Sequence, residues 1–127
     1  MISVILACDD PYRAAESFKR AGWELVFATP SDSDDRLACV SLGDAQVMLG
    51  VDDERFLPAA ARDHRGAGVE VYIRLDDGVE KAHEQHQAAG AVTQELRHAP
   101  WGEWAFNAMI EGYRFLIAQE GASEQQP

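Results

Sequence analysis

The chain of 127 residues carries 22 acidic against 11 lysine and arginine side chains, a net charge of −11. A field of that sign repels phosphate backbones and argues against nucleic-acid binding. No apolar run approaches the roughly 20 residues of a membrane span, so no membrane partner is expected. The apolar share of 46% beside 26% charged residues is ordinary for a globular protein.

Ile2 to Cys8 is a continuous apolar run of strand length, and Asp10-Pro11 then opens a helix. Aspartate can cap the orphan N–H groups there, and proline is tolerated at the first helical position. Ala14, Ala15, Phe18 and Ala21 form an apolar stripe before Gly22 stops the helix. Trp23 to Ala28 reads as a strand, Pro30 to Asp35 as a polar loop, and Arg36 to Leu42 as a further strand. The Gly43-Asp44 turn leads into Ala45 to Val51 with hairpin spacing. Residues 52–68 connect two halves, with a helical turn expected around Ala59 to Asp63. The programme then repeats: strand Val69 to Leu75, helix Gly78 to Ala89, and strand Ala91 to Arg97. After the loop His98 to Gly102 come strand Glu103 to Ile110, a turn at Glu111-Gly112, and strand Tyr113 to Gln119. Residues 121–127 are polar and read as a frayed tail.

The repeat is visible in the letters themselves. Val4/Val71, Asp9/Asp76, Asp10/Asp77 and Ala15/Ala82 match at an offset of 67, and Ala21/Ala89 and Gly22/Gly90 at 68. The second helix is therefore expected to hold one extra residue. The period is far longer than a solenoid unit. It divides a single domain into modules 1–51 and 69–120, each of order βαβββ. One helix on a four-stranded sheet leaves the other sheet face open, and two such faces can enclose a shared cavity.

Both cysteines, Cys8 and Cys39, lie in apolar runs and read as buried thiols of a reducing compartment, although spacing leaves a disulfide open. The start, Met1 to Val4, has neither a basic region nor a cleavage pattern, so no signal peptide and a cytoplasmic location are expected. No Gly-x-Ser-x-Gly elbow, phosphate loop or dinucleotide fingerprint is present, and no catalytic residue can be named.

The stretch Val69-Glu70-Val71-Tyr72-Ile73-Arg74-Leu75-Asp76-Asp77, then Ala88-Ala89-Gly90-Ala91, Pro100-Trp101-Gly102 and a glycine turn before the last strand resemble the vicinal oxygen chelate superfamily, specifically its glyoxalase/bleomycin-resistance group. The resemblance spans Ile2 to Glu120. It implies an α+β fold in which two βαβββ modules form a cupped mixed sheet, and a homodimer with clefts formed partly between subunits. Metal-dependent members carry ligands on the first and last strands of each module. Counting from Asp10, Asp77 and the turn glycines, the resemblance puts Ser3, Met48, Glu70 and Leu116 at those positions. One carboxylate, one hydroxyl and two apolar side chains are a poor set for a divalent ion. The metal-free, ligand-binding branch is the better match, with no cofactor.

Parity supplies the remaining candidates, since strand side chains alternate faces. Ser3, Ile5 and Ala7 share a face, as do Gln46 and Met48, Glu70, Tyr72 and Arg74, and Arg114, Leu116 and Ala118. Trp101 and Trp104 flank a strand entrance, and the resemblance implies stacking of such aromatics on a planar drug. Trp104 sharing a strand face with Phe106 is equally consistent with a core role. Glu70 is expected to pair with Arg114 or Arg74, because an unpaired buried carboxylate is costly. His83 and His86 sit three apart on one helix, where packing is the expected role of His86, while His64 and His98 lie in loops. The ligand-binding set is therefore Trp101, Trp104, Met48, Glu70, Tyr72, Arg114 and Leu116. The function implied is metal-independent sequestration of a hydrophobic or planar small molecule, cationic ones included, as in bleomycin resistance. The alternative is a metal-dependent isomerase, lyase or dioxygenase of the same superfamily.

Overall fold

The computed structural model describes residues 2–121, so the expected frayed tail lies, apart from Gly121, outside the described residues. The elements are β1 (Val4–Cys8), α1 (Pro11–Arg20), β2 (Glu24–Ala28), β3 (Leu37–Leu42) and β4 (Ala45–Val51), then a 3-10 turn (Ala59–His64). The second series is β5 (Glu70–Leu75), α2 (Val79–Ala88), β6 (Val92–His98), β7 (Glu103–Ile110) and β8 (Tyr113–Glu120). Two four-stranded mixed sheets result, ordered β1-β4-β3-β2 and β5-β8-β7-β6. In each, the first strand runs parallel to the last and the other pairs are antiparallel. The fold is α+β, as the repeat implies.

The extra residue of the second copy does not lie in its helix. Both helices contain ten residues. Leu6 and Ile73 occupy equivalent buried strand positions at an offset of 67, whereas Ala14/Ala82 and Phe18/His86 are equivalent at 68. The insertion falls in the turn Asp76-Asp77-Gly78, and it changes how the helix begins. Asp10 caps α1 through its Oδ1, which accepts from the amides of Tyr12 at 3.0 Å and Arg13 at 3.3 Å. Asp77 does no such thing for α2. Gly78 takes the cap position at φ 84°, a left-handed conformation that suits glycine, and supplies no side chain. The amide of Val79 donates instead to Gln119 Oε1 on β8, at 2.9 Å.

The helix-bearing faces of the two sheets share one hydrophobic core. Phe18 of α1 meets Phe115 of β8 edge to face at 5.7 Å, and Trp23 lies 5.0 Å from Phe18 and 5.4 Å from Phe115. His86, fully buried, closes this cluster. Its Nδ1 lies 2.7 Å from the Ala82 carbonyl and its Nε2 accepts from Trp23 Nε1 at 3.0 Å. That arrangement defines a neutral imidazole protonated on Nδ1. Burial lowers its pKa, working with nearby His83 against the bond to Ala82. His86 is thus a core residue, and Trp23 likewise. Cys8 and Cys39 are both buried free thiols.

The connector is fastened by ions. The buried carboxylate of Asp52 takes a paired grip from Arg65, at 2.9 and 2.5 Å, and Arg62 stands 3.5 Å away. The hydrogen bond from Arg65 lowers the Asp52 pKa despite burial. Tyr113 OH reaches the Ala7 carbonyl at 2.5 Å, joining β8 to β1. Because the helix-bearing faces meet inside, the opposite faces look outward. Ile5 on the first sheet is 60% exposed and Tyr72 on the second 51%. Within one chain these open faces do not jointly line the cavity beside Trp101.

Candidate functional site

On β5, Val71, Ile73 and Leu75 point into the core while Glu70, Tyr72 and Arg74 stand on the open face. Register extends that face across the sheet. Glu70, Tyr72 and Arg74 lie opposite Arg114, Leu116 and Ala118 of β8. Those three lie opposite Met109, Asn107 and Ala105 of β7, and Glu120 opposite Glu103. The parity expected from sequence places Glu70, Tyr72, Arg114 and half-buried Leu116 together. Met48 holds the corresponding position on the first sheet, opposite Ile5 and Cys39.

Two polar groupings organise the second open face. In one, Glu70 Oε2 accepts from Asn107 Nδ2 at 3.0 Å and faces Arg114 Nη2 at 3.6 Å. Glu70 thus pairs with Arg114 rather than Arg74. Asn107 Oδ1 is buried with no hydrogen-bond partner among the described residues. In the other, Glu103 is only 8% exposed. Its Oε1 accepts from Trp101 Nε1 at 2.7 Å, and its Oε2 from Tyr72 OH at 2.5 Å. Arg74 Nε stands 3.5 Å from Oε2, and Arg74 Nη2 binds Glu120 Oε1 at 2.6 Å. Burial of the hydroxyl, the hydrogen bond to Glu103 and the charge of that carboxylate push the Tyr72 phenol up to about 12, so it remains a donor. Trp101, Tyr72, Arg74, Gly102, Glu103 and Glu120 line an open cavity of about 380 Å³.

Local backbone geometry holds Trp101 there. The amide of Ala99 donates to the Glu103 carbonyl at 2.7 Å and that of Gly102 to Ala99 at 3.0 Å. Gly121 donates to the Gly102 carbonyl at 2.9 Å, and a Cβ on Gly121 would lie 2.3 Å from that oxygen. Trp104 goes elsewhere. It stands on the opposite face of β7, its ring edge-on to His98 at 5.2 Å, above Val79, Leu96 and Gln119. The structure therefore does not bring Trp104 to the face that carries Trp101. Glu103 and Asn107 are the residues that sequence reasoning missed. Alternation along Glu103, Ala105, Asn107 and Met109 carries the signal for both.

The positions at which metal-dependent relatives would hold an ion do not fit one here. Ser3 Oγ is turned onto the Gln46 carbonyl at 3.3 Å, Met48 and Leu116 offer no hard donor, and Glu70 is engaged by Asn107 and Arg114. Among the described residues no group of three or more His, Cys, Asp or Glu is placed to hold a metal. His83 lies against Glu95 at 2.8 Å, on the helix surface.

The same fold is found in solved structures that include a glyoxalase/bleomycin resistance protein/dioxygenase superfamily member and two bleomycin-binding or bleomycin-resistance proteins. No protein-family model matches the chain, and no curated protein does. Among solved structures it is similar to TioX from Micromonospora sp. ML1, with 25% identity, a TM-score of 0.73, and 98% of this chain and 99% of that one covered. It is also similar to a bleomycin-binding protein complexed with bleomycin, at 16% identity and a TM-score of 0.66 over 95% and 98% of the two chains. A fosfomycin resistance protein, FosX, from Listeria monocytogenes, complexed with Mn(II), shares 11% identity at a TM-score of 0.66 over 96% and 92%. The fold thus occurs both in a bleomycin-binding protein and in a fosfomycin resistance protein complexed with Mn(II).

Proposed function

We propose that the protein binds a hydrophobic, planar small molecule on the open face of its second sheet, without a metal and without breaking bonds, and so sequesters it. The observation that carries this reading is the half-exposed pair Trp101 and Tyr72 beside a cavity of about 380 Å³. Two rings presented to solvent offer large stacking surfaces at low entropic cost. Leu116 supplies an apolar floor, and Glu70 with Arg114 supplies polar points at its far end. Trp104 is left outside the set because it faces the other way. The acidic surface steers cationic ligands toward the protein. Bleomycin is the first candidate, because a similarly folded protein is complexed with it.

In this reading Met48 takes part from a second copy of the chain, its open face closing over Trp101. Exposed Ile5 on the first sheet, and Leu25, Val26 and Phe27 on the edge strand β2, support a partner surface. The test is a tryptophan-fluorescence titration with metal-free and copper-loaded bleomycin, following elemental analysis and light scattering of the same sample. Saturable quenching near one ligand per chain, in a metal-free dimer, supports sequestration. A flat titration removes bleomycin as ligand, and stoichiometric Mn, Fe, Ni or Zn overturns metal independence.

A further inference from the structure

Glu103 stands out because the fold buries a charge in order to hold two rings that it leaves exposed. An ionised carboxylate resists burial unless hydrogen bonds replace its water. Here each oxygen is taken by an aromatic donor from a different segment, Trp101 from the β6–β7 loop and Tyr72 from β5. Arg74 adds a third, looser partner at 3.5 Å. The rings themselves gain little from the arrangement. Trp101 remains 56% exposed and Tyr72 51%, and neither packs against another ring among the described residues. Their polar edges are fixed while their faces stay open. By contrast Trp23 is held at its Nε1 and buried, and Trp104 packs on His98.

Resting on the reading of this face as the ligand site, we infer that Glu103 is the positioning residue that preorganises Trp101 and Tyr72 into a rigid receiver for a planar aromatic group. It acts through the rings and is not the ligand's counter-ion, because its two oxygens already accept from the protein's own donors. Holding the rings before the ligand arrives removes the ordering cost of binding. The ligand feature read at this subsite is flatness rather than charge.

That distinction sets the experiment. Proflavine, a planar cation, and acridone, a neutral planar relative, are titrated into the full chain and into Glu103→Gln, with bleomycin alongside. Both probes are expected to weaken by a similar factor of about ten in Glu103→Gln, since glutamine cannot accept from both rings. Tyr72→Phe, which frees one oxygen and keeps the ring, is expected to weaken both by a smaller, again equal, factor. The indole N–H resonances give a readout independent of affinity. Glu103→Gln should shift the Trp101 signal and leave that of Trp23, bonded to His86, in place. That second signal also certifies the fold, and Tyr72→Phe carries the test if Glu103→Gln loses it.

Loss of proflavine binding alone would make Glu103 a counter-ion and overturn the inference. Unchanged affinity for both probes, with the Trp101 resonance moved, would overturn it too. In either case wild-type binding of bleomycin or an acridine leaves the ligand-site reading standing. Wild-type protein that binds neither bleomycin nor either acridine overturns both together.

Discussion

The two modules share one plan and differ at three corresponding places. At the helix start, the first has a side-chain cap in Asp10, while the second borrows Gln119 from β8. In the shared core, Phe18 corresponds to His86. On the open face, Ser3, Ile5 and Ala7 of the first correspond to the more polar Glu70, Tyr72 and Arg74 of the second, while Met48 opposite Ile5 corresponds to Leu116 opposite Tyr72. The helix-bearing faces must pack on one another, so their substitutions are compensated by contact across the modules. The open faces carry no such constraint within a chain, and there the second copy is the more polar.

Core truncation gives the largest expected break in that comparison. Phe18→Ala should cost about 3–5 kcal/mol by urea unfolding, since the ring is fully buried against Trp23 and Phe115. His86→Phe makes the second module resemble the first at that site. It strips Trp23 Nε1 of its acceptor, and a loss of about 1–3 kcal/mol is expected at neutral pH. The wild type carries a pH signature that this variant lacks. The folded pKa of His86 is lowered, so the unfolded chain takes the proton first. Stability therefore falls as pH drops from about 6.5 toward the lowered folded value, by up to about 1.4 kcal/mol per pH unit for one proton. Unfolding curves at neutral and mildly acidic pH should show a steeper fall for the wild type than for His86→Phe.

The two exposed tryptophans sharpen the comparison between faces. Trp101→Ala should weaken bleomycin or acridone binding about tenfold, equivalent to about 1.4 kcal/mol. Trp104→Ala, on the other side of β7, should leave the titration unchanged. Quenching lost with Trp104 instead would move the ligand to the opposite sheet face. The helix starts give the smallest effect. Asp10→Ala should cost about 1 kcal/mol, because its carboxylate serves two amides. Gln119→Ala should cost less, since one neutral bond to Val79 is lost, and thermal melts of the pair would rank them.

Much of the fold was legible because its signals are local. Apolar runs of strand length and turn glycines marked the strands, Asp10-Pro11 the first helix start, and Gly22 and Gly90 the helix stops. Alternation placed Glu70, Tyr72, Arg114 and Leu116 on one face, since a strand's period is fixed by its backbone. It was less informative about Trp104, whose aromatic character suggested a ligand while its parity pointed the other way.

What the sequence by itself determined was therefore the repeat, the order of elements and the face each strand residue occupies, all set by chain geometry over a few neighbouring residues. Only the tertiary structure decided that the extra residue of the second copy lies in the Asp76-Asp77-Gly78 turn, because a one-residue shift is invisible until both helices are seated against their sheets. Only it decided that the helix-bearing faces meet inside and the open faces look outward. And only it brought Tyr72, Trp101 and Glu103 together, since Tyr72 and Glu103 are 31 residues apart and meet through strand register and the bend of a loop. Long-range pairing of that kind is written in no local pattern, so the candidate site had to be read from the folded chain.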